Sequence, residues 1–326
     1  MKDNKVKITL FAIFTIVFFM MISIDISAIA IEKGSNVISI IVDKNGNGDY
    51  ITIQEAIDNA LENSIIYVKN GEYSEVLDID IFIELIGENK DKTIINPISE
   101  ENKYAIKIGA PNIKIEQFTI QNGAPGLYTT GIKISAKKTL VESCNIINTA
   151  VGIAVWTSEN QIKNCDFRYC KDEGIALLGS KKNQCNNNII SNCIFYDNCD
   201  GIELQYSKQN KIINCKFFDN THTGIDAIAK QNNDNIISNC EIKDNAVHGI
   251  YFSASSNNQI INCIIENNKD GNIESNKYSK NNQIISFSQN QKNTNYNKIK
   301  QIISTLLEKI ISYQHIKLSK SRSFKF

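Results

Sequence analysis

Six cysteines, Cys144, Cys165, Cys193, Cys215, Cys240 and Cys263, recur 21 to 28 residues apart in the same local sequence. Each follows Asn or Ser. Three residues earlier stands Val141, Ile162, Ile190, Ile212, Ile237 or Ile260, and two residues later Ile146, Phe167, Phe195, Phe217, Ile242 or Ile265. Eight or nine residues beyond each cysteine comes a glycine, Gly152, Gly174, Gly201, Gly224, Gly249 or Gly271, followed by isoleucine in every copy but the last. A looser earlier copy has Phe118 in the cysteine place and Gly131-Ile132 downstream. Repetition at this period is the signature of a solenoid, so the length of 326 residues does not argue for two domains.

Parity inside the repeat gives its geometry. Side chains of a straight strand alternate with period two, so Ile162 and Cys165 cannot both point inward unless one residue between them bends the chain. Asn164 suits that position because Asn tolerates the left-handed conformation, and Ser143, Asn192, Asn214, Asn239 and Asn262 are its equivalents. Asn148, Asn198, Asn220, Asn245 and Asn268 read as further corners ahead of the glycines. Each coil then holds about three short strands and nothing with helical periodicity, which excludes a leucine-rich repeat. The expected fold is all-β, a single-stranded right-handed parallel β-helix over residues 76–288. Seven or more coils at ~4.8 Å per rung give a rod of roughly 35–45 Å.

Neighbouring cysteines of such a ladder lie about a strand spacing apart, farther than a relaxed disulfide prefers. The six ladder cysteines are therefore expected as free, buried thiols behaving as small hydrophobes. Cys170, Cys185 and Cys199 fall off the ladder, and their state stays open.

The ends differ from the repeat. Lys2, Lys5 and Lys7 precede an apolar run from Ile8 to Ile24, and Ser27 to Ala30 supply small residues for cleavage. Residues 1–30 thus read as a signal peptide or, left uncleaved, an anchor, and the chain as secreted or displayed at the cell surface. Residues 31–75 read as an N-terminal cap, with Thr52-Ile53-Gln54-Glu55 as a capping box opening a short helix to about Leu61. Residues 289–326 read as a polar linker and an amphipathic helix with Ile299, Ile302, Ile303, Leu306, Leu307, Ile310 and Ile311 on one face. That helix would plug the last coil or contact the cell envelope. The formal net charge is zero, so nothing stands ready to neutralise a phosphate backbone, and nucleic acid is not an expected partner.

Two resemblances rest on these residues. Gly48-Asp49-Tyr50, Thr52 to Ile57, the strand Ile65 to Val68 and Gly71-Glu72-Tyr73-Ser74-Glu75 are similar to the N-terminal cap of pectinesterase-like members of the pectin lyase superfamily. The run from Gly201-Ile202-Glu203-Leu204 through Ser207, Asn210, Ile212, Asn214, Cys215 and Phe217 resembles the β-helix repeats of NosD-type and carbohydrate-binding/sugar-hydrolase modules. Together they cover about residues 38 to 275 and imply the fold and a polysaccharide or envelope-glycan partner. They carry over no chemistry. The pectinesterase catalytic motifs are absent after the cap, and so is the Asp-Pro-His signature of mannuronan epimerases. The arginine base of pectate lyases has one in-repeat counterpart, Arg168. The copper link of NosD has no matching density of Met and His ligands.

Candidate site residues come from the outward positions. Two residues after each glycine the chain runs Lys133, Ala154, Ala176, Glu203, Asp226, Tyr251, which makes Glu203 and Asp226 rung neighbours. Two carboxylates that close push one pKa up and supply an acid and a base. Glu203 and Asp226, with Asp200, His222 and His248 assisting, are the catalytic candidates. Trp156, Asp172, Glu173 and Tyr251 are the substrate-binding candidates. No metal-ligand set shows in the spacing, no cofactor is called for, and Ca2+ has no specific cluster to hold it. The function that best fits is glycan binding without transferable catalytic motifs. A polysaccharide hydrolase, lyase or epimerase and a structural or adhesive rod are the alternatives.

Overall fold

The computed structural model describes residues 37–97, 104–122, 129–228 and 231–286. The presequence and the C-terminal helix expected from the sequence lie outside these residues. Three parallel sheets, of 11, 9 and 9 strands, run the length of the stack, and each strand pairs with the strands one coil before and one coil after it. The architecture is the expected right-handed β-helix.

Each sheet contributes at least one inward ladder. In the first, Ile115, Val141, Ile162, Ile190, Ile212, Ile237 and Ile260 are register partners in turn. In the second, Phe167, Phe195 and Phe217 stack with centroids 4.8 and 4.7 Å apart and interplanar angles of 7° and 2°. In the third, the isoleucines after the glycines align from Ile132 through Ile250. These columns fill one continuous core, and their burial rather than strand propensity holds the short strands in place.

The corner expected at the residue before each cysteine is present. Ser143, Asn164, Asn192, Asn214, Asn239 and Asn262 take φ between 51° and 55°. This bend lets the cysteine follow the isoleucine into the core. All nine cysteines are free, and each ladder thiol from Cys165 onward donates to a carbonyl of its own coil and one of the preceding coil, as in Cys165 Sγ to Lys163 O and Val141 O. The same arrangement recurs at Cys193, Cys215, Cys240 and Cys263.

Three expectations are corrected. The second corner is at Asn148 as expected, with φ 54°, but in the later coils it falls one residue early: Asp197, Asp219, Asp244 and Asn267 take φ of 55–58°, and Asn198, Asn220, Asn245 and Asn268 turn inward instead. There each side-chain carbonyl accepts both the backbone N–H and the Nδ2 of the Asn one coil before, satisfying buried amides along the stack. Cys170 occupies this same column, its N–H donating to Asn198 Oδ1 at 3.0 Å. Secondly, the last glycine is out of register. His248 pairs with Gly271 and Ile250 with Ile273, which puts Asn272 in the glycine column. Thirdly, the helix is shorter than expected, Ile53–Asp58, and Thr52 makes no side-chain cap. Glu75 caps it instead, its two carboxylate oxygens accepting the N–H groups of Ile53 and Gln54 at 2.9 Å each. A carboxylate brought in by the fold displaced the local capping box.

Candidate active site

The glycine column shapes the outward face of the third sheet. A Cβ built on Gly201 would lie 2.5 Å from Gly224 O and 2.5 Å from the core ring of Phe217, so this position faces inward and only glycine fits it. Ile202 next to it is also inward and fully buried. Two successive inward residues shift the phase of the alternation, as a bulge does. The residue before the glycine and the residue after the isoleucine then share the outward face. That is why Glu173, the first residue of the strand Glu173–Leu178, belongs to the same surface as Glu203 of the strand Asp200–Gln205.

The registers follow the expected rows. Ala176 pairs with Glu203, Glu203 with Asp226 and Asp226 with Tyr251, while Glu173 pairs with Asp200. Glu173, Asp200 and His248 open their strands. Four carboxyl groups therefore converge over three successive coils. They are nearly enclosed: Glu173 is 6% exposed, Asp200 6%, Glu203 8% and Asp226 5%. Carboxylates are almost never this buried unless paired. Among the described residues no lysine or arginine side chain bonds to any of the four.

Burial and crowding decide their protonation. Glu173 is pushed up to about 9, first by burial and then by the Glu203 charge, and its carboxyl hydrogen-bonds to that of Glu203. Burial also raises Glu203, opposed by hydrogen bonds from Gln205 and from Glu173, which favour its ionised form. The two carboxyls titrate as a unit, and burial together with their mutual charge favours one proton held between them. Burial and the Asp200 charge push Asp226 up to about 7. Asp200 is raised by burial, while the His222 contact and the N–H of Thr223 offset part of that.

His222 Nδ1 lies 2.7 Å from Asp200 Oδ1, which also accepts the Thr223 N–H at 2.7 Å. One ligand atom each from Asp200, His222 and Asp226 fall within 4.8 Å of one another. His248 is set apart from this group, stacked on Tyr251 with centroids 5.2 Å apart. Asp172 precedes Glu173, and its charge adds to the upward push on that carboxyl. Trp156 is exposed at the other end of the face, one residue beyond Val155, whose partner is Leu177. Between Trp156 and the acids, Val151, Ala154, Ala176 and Leu178 form a small apolar floor. The face from the coil of Ala154 to that of Tyr251 spans four rung spacings, about 19 Å.

The repeat spacing points to all of these residues but gives Glu173 the lesser role. Its proton-sharing contact with Glu203 crosses from one row to the other, and only the phase shift at the glycine makes it visible.

The family model described as "Right handed beta helix region" matches residues 72–189 and 131–288. Among curated proteins, the pectinesterase/pectinesterase inhibitor 18 of Arabidopsis thaliana is 32% identical over 124 residues, covering 33% of this chain and 22% of that protein. The probable pectinesterase/pectinesterase inhibitor 34 of the same plant is 31% identical over 145 residues, 39% of this chain and 24% of that protein. The matches thus span under a quarter of either relative. Among solved structures, the A-module of the Azotobacter vinelandii mannuronan C-5 epimerase AlgE4 superposes with a TM-score of 0.55 at 13% identity, covering 72% of this chain and 90% of that one. Carrot pectin methylesterase gives 0.52 at 14% identity over 77% and 89%.

Proposed function

From the premise that the chain belongs to the right-handed β-helix family, we propose that it is an exported enzyme acting on a polysaccharide by general acid–base chemistry. Export is supported by the Lys-flanked apolar run at the N-terminus. The polysaccharide is supported by the relatives, whose names are those of pectinesterases and, among structures, of a pectin methylesterase and a mannuronan epimerase.

The observation that carries the catalytic reading is the enclosure of Glu173 and Glu203 on an outward face. A binding surface has no need of a protonated carboxyl hydrogen-bonded to an ionised one. An enzyme that adds and removes protons at neutral pH does. In this reading Glu173 gives a proton to a leaving or carbonyl oxygen, and Glu203 takes one from water or from a sugar carbon. Trp156 and Tyr251, at the two ends of the face, are the stacking surfaces for sugar rings. Glycan binding without catalysis is the second reading, and the exposed Trp156 beside the apolar floor favours it.

Reducing-end and unsaturated-product assays on a panel of neutral and acidic polysaccharides test the proposal. The wild type should turn over at least one polymer. Glu173→Gln and Glu203→Gln should each lower the rate by about 100-fold or more with circular dichroism unchanged. Unaltered turnover in both variants overturns the assignment. Glycan binding without turnover in the wild type selects the second reading.

A further inference from the structure

We propose that Asp200, His222 and Asp226 hold one divalent transition cation, with Zn2+ as the representative ion, on the outward face of the third sheet.

These residues come from two coils. Asp200 opens one strand, His222 lies in the next corner, and Asp226 lies in the strand after that corner. Stacking brings them together although 22 and 4 residues separate them in sequence. Their ligand atoms lie within 4.8 Å of one another. A cluster of acids alone would mean little, but Asp226 supplies a second observation. The residue is 5% exposed and its Oδ1 is buried with no hydrogen-bond partner. A buried carboxylate oxygen with nothing to accept from is costly, and a cation beside it removes that cost.

The donor set selects the kind of ion. Ca2+ takes six to eight oxygens in a flexible shell, whereas this set offers two carboxylates and an imidazole nitrogen. Imidazole suits Zn2+ and its first-row neighbours. Three protein ligands with a fourth position open is the arrangement of a reactive zinc site, and this set supplies three. Bond lengths of 2.0 to 2.2 Å place tetrahedral ligands about 3.3 Å apart, so the Asp200–His222 contact must open by about 0.6 Å. The His222 side chain is 43% exposed and has room to do so. Asp200 stays oriented by the Thr223 N–H, the kind of outer contact that positions a ligating carboxylate. The site does not depend on the polysaccharide proposal, because the proton pair Glu173–Glu203 lies outside it.

Equilibrium dialysis of the folded full chain against Zn2+, with zinc quantified per chain and no glycan present, tests it. One tight Zn2+ per chain is expected. Asp226→Asn and His222→Gln should each weaken binding by about 100-fold or more, exceeding the loss of an outer contact. The surface variant Glu241→Gln should bind as the wild type does. Co2+ should show the visible bands of a tetrahedral nitrogen–oxygen site without thiolate charge-transfer bands, which separates this site from the nine cysteines. Folding of each variant is verified by circular dichroism, and His222→Gln, at a half-exposed position, covers the case in which Asp226→Asn does not fold. No zinc binding, unchanged affinity in both folded variants, or thiolate bands in the cobalt spectrum would overturn the proposal. A protein inactive on every polysaccharide yet binding one zinc would leave it standing.

Discussion

Replacing Asp226 by Asn should stabilise the fold above neutral pH and leave its stability unchanged in acid. In the native chain burial, then the Asp200 charge, raises the Asp226 carboxyl from 3.8 to about 7; the Glu203 charge adds to this and His222 opposes it. A carboxyl raised in the folded state keeps its proton over an interval in which the unfolded chain has already lost it. The stability this gives is fully present below about pH 4 and declines as pH climbs towards the folded value. The slope is about 1.4 kcal/mol per pH unit for one proton. Over roughly three units this is about 4 kcal/mol, an upper bound because water at the outward face screens part of it. Asn has the same shape without the charge, so it removes the decline. The stability difference between variant and wild type should therefore grow by about 2–4 kcal/mol from pH 4 to pH 8. In thermal melts at pH 4, 6 and 8 with EDTA present to keep metals away, that growth corresponds to roughly 4–16 °C. A difference that does not change with pH would refute the raised carboxyl. A variant that loses ground as pH rises would reverse the sign of the argument.

Three other outcomes follow from the core. Phe195 is fully buried and stacked between Phe167 and Phe217, so Phe195→Ala should cost about 3–5 kcal/mol, read as a lowered melting temperature. Asn210 accepts from the backbone and side chain of Asn188 and donates to Cys185 O and Asn235 Oδ1, all within the core. Asn210→Ala should cost about 1–3 kcal/mol for each group left unsatisfied and should speed hydrogen exchange at the Asn188 amide. Thiol titration of the native protein should modify only Cys199 and Cys263, which are half-buried, and all nine cysteines after denaturation.

What the sequence discloses follows from how a solenoid repeats. Every coil returns to the same landmarks, so a position counted from its glycine keeps its meaning from rung to rung. Counting alone therefore puts Glu203, Asp226 and Tyr251 on one row, and the registers agree. Counting fails where geometry between the landmarks matters. Asn148, Asn198, Asn220 and Asn245 all read as corners because Asn tolerates the left-handed region; Asn148 is one, but Asp197, Asp219 and Asp244 make the later bends and the asparagines after them satisfy buried amides. The capping box at Thr52 is a local signal that a distant carboxylate, Glu75, displaces. The contacts Glu173–Glu203 and Asp200–His222 depend on a phase shift and a corner conformation that no spacing states.

The position of the acid cluster along the stack is itself explained by these energetics. Solenoid stability is close to a sum of coil terms and nearest-neighbour interfaces, so a costly coil is tolerated where both neighbours are intact. The coils carrying Glu173, Asp200, Glu203 and Asp226 coincide with the Phe167–Phe195–Phe217 stack on the second sheet and lie within a longer run of bonded asparagines from Asn160 to Asn282. The stacked core rings therefore lie behind the buried outward acids. Towards the C-terminal end the core column passes from Phe217 to Ile242 and Ile265, the glycine column ends at Asn272, and the outward face carries no buried acids among the described residues. The enclosed carboxyls thus sit against stacked rings on the core side, and the three coils that bear them are the ones whose core residue on the second sheet is phenylalanine.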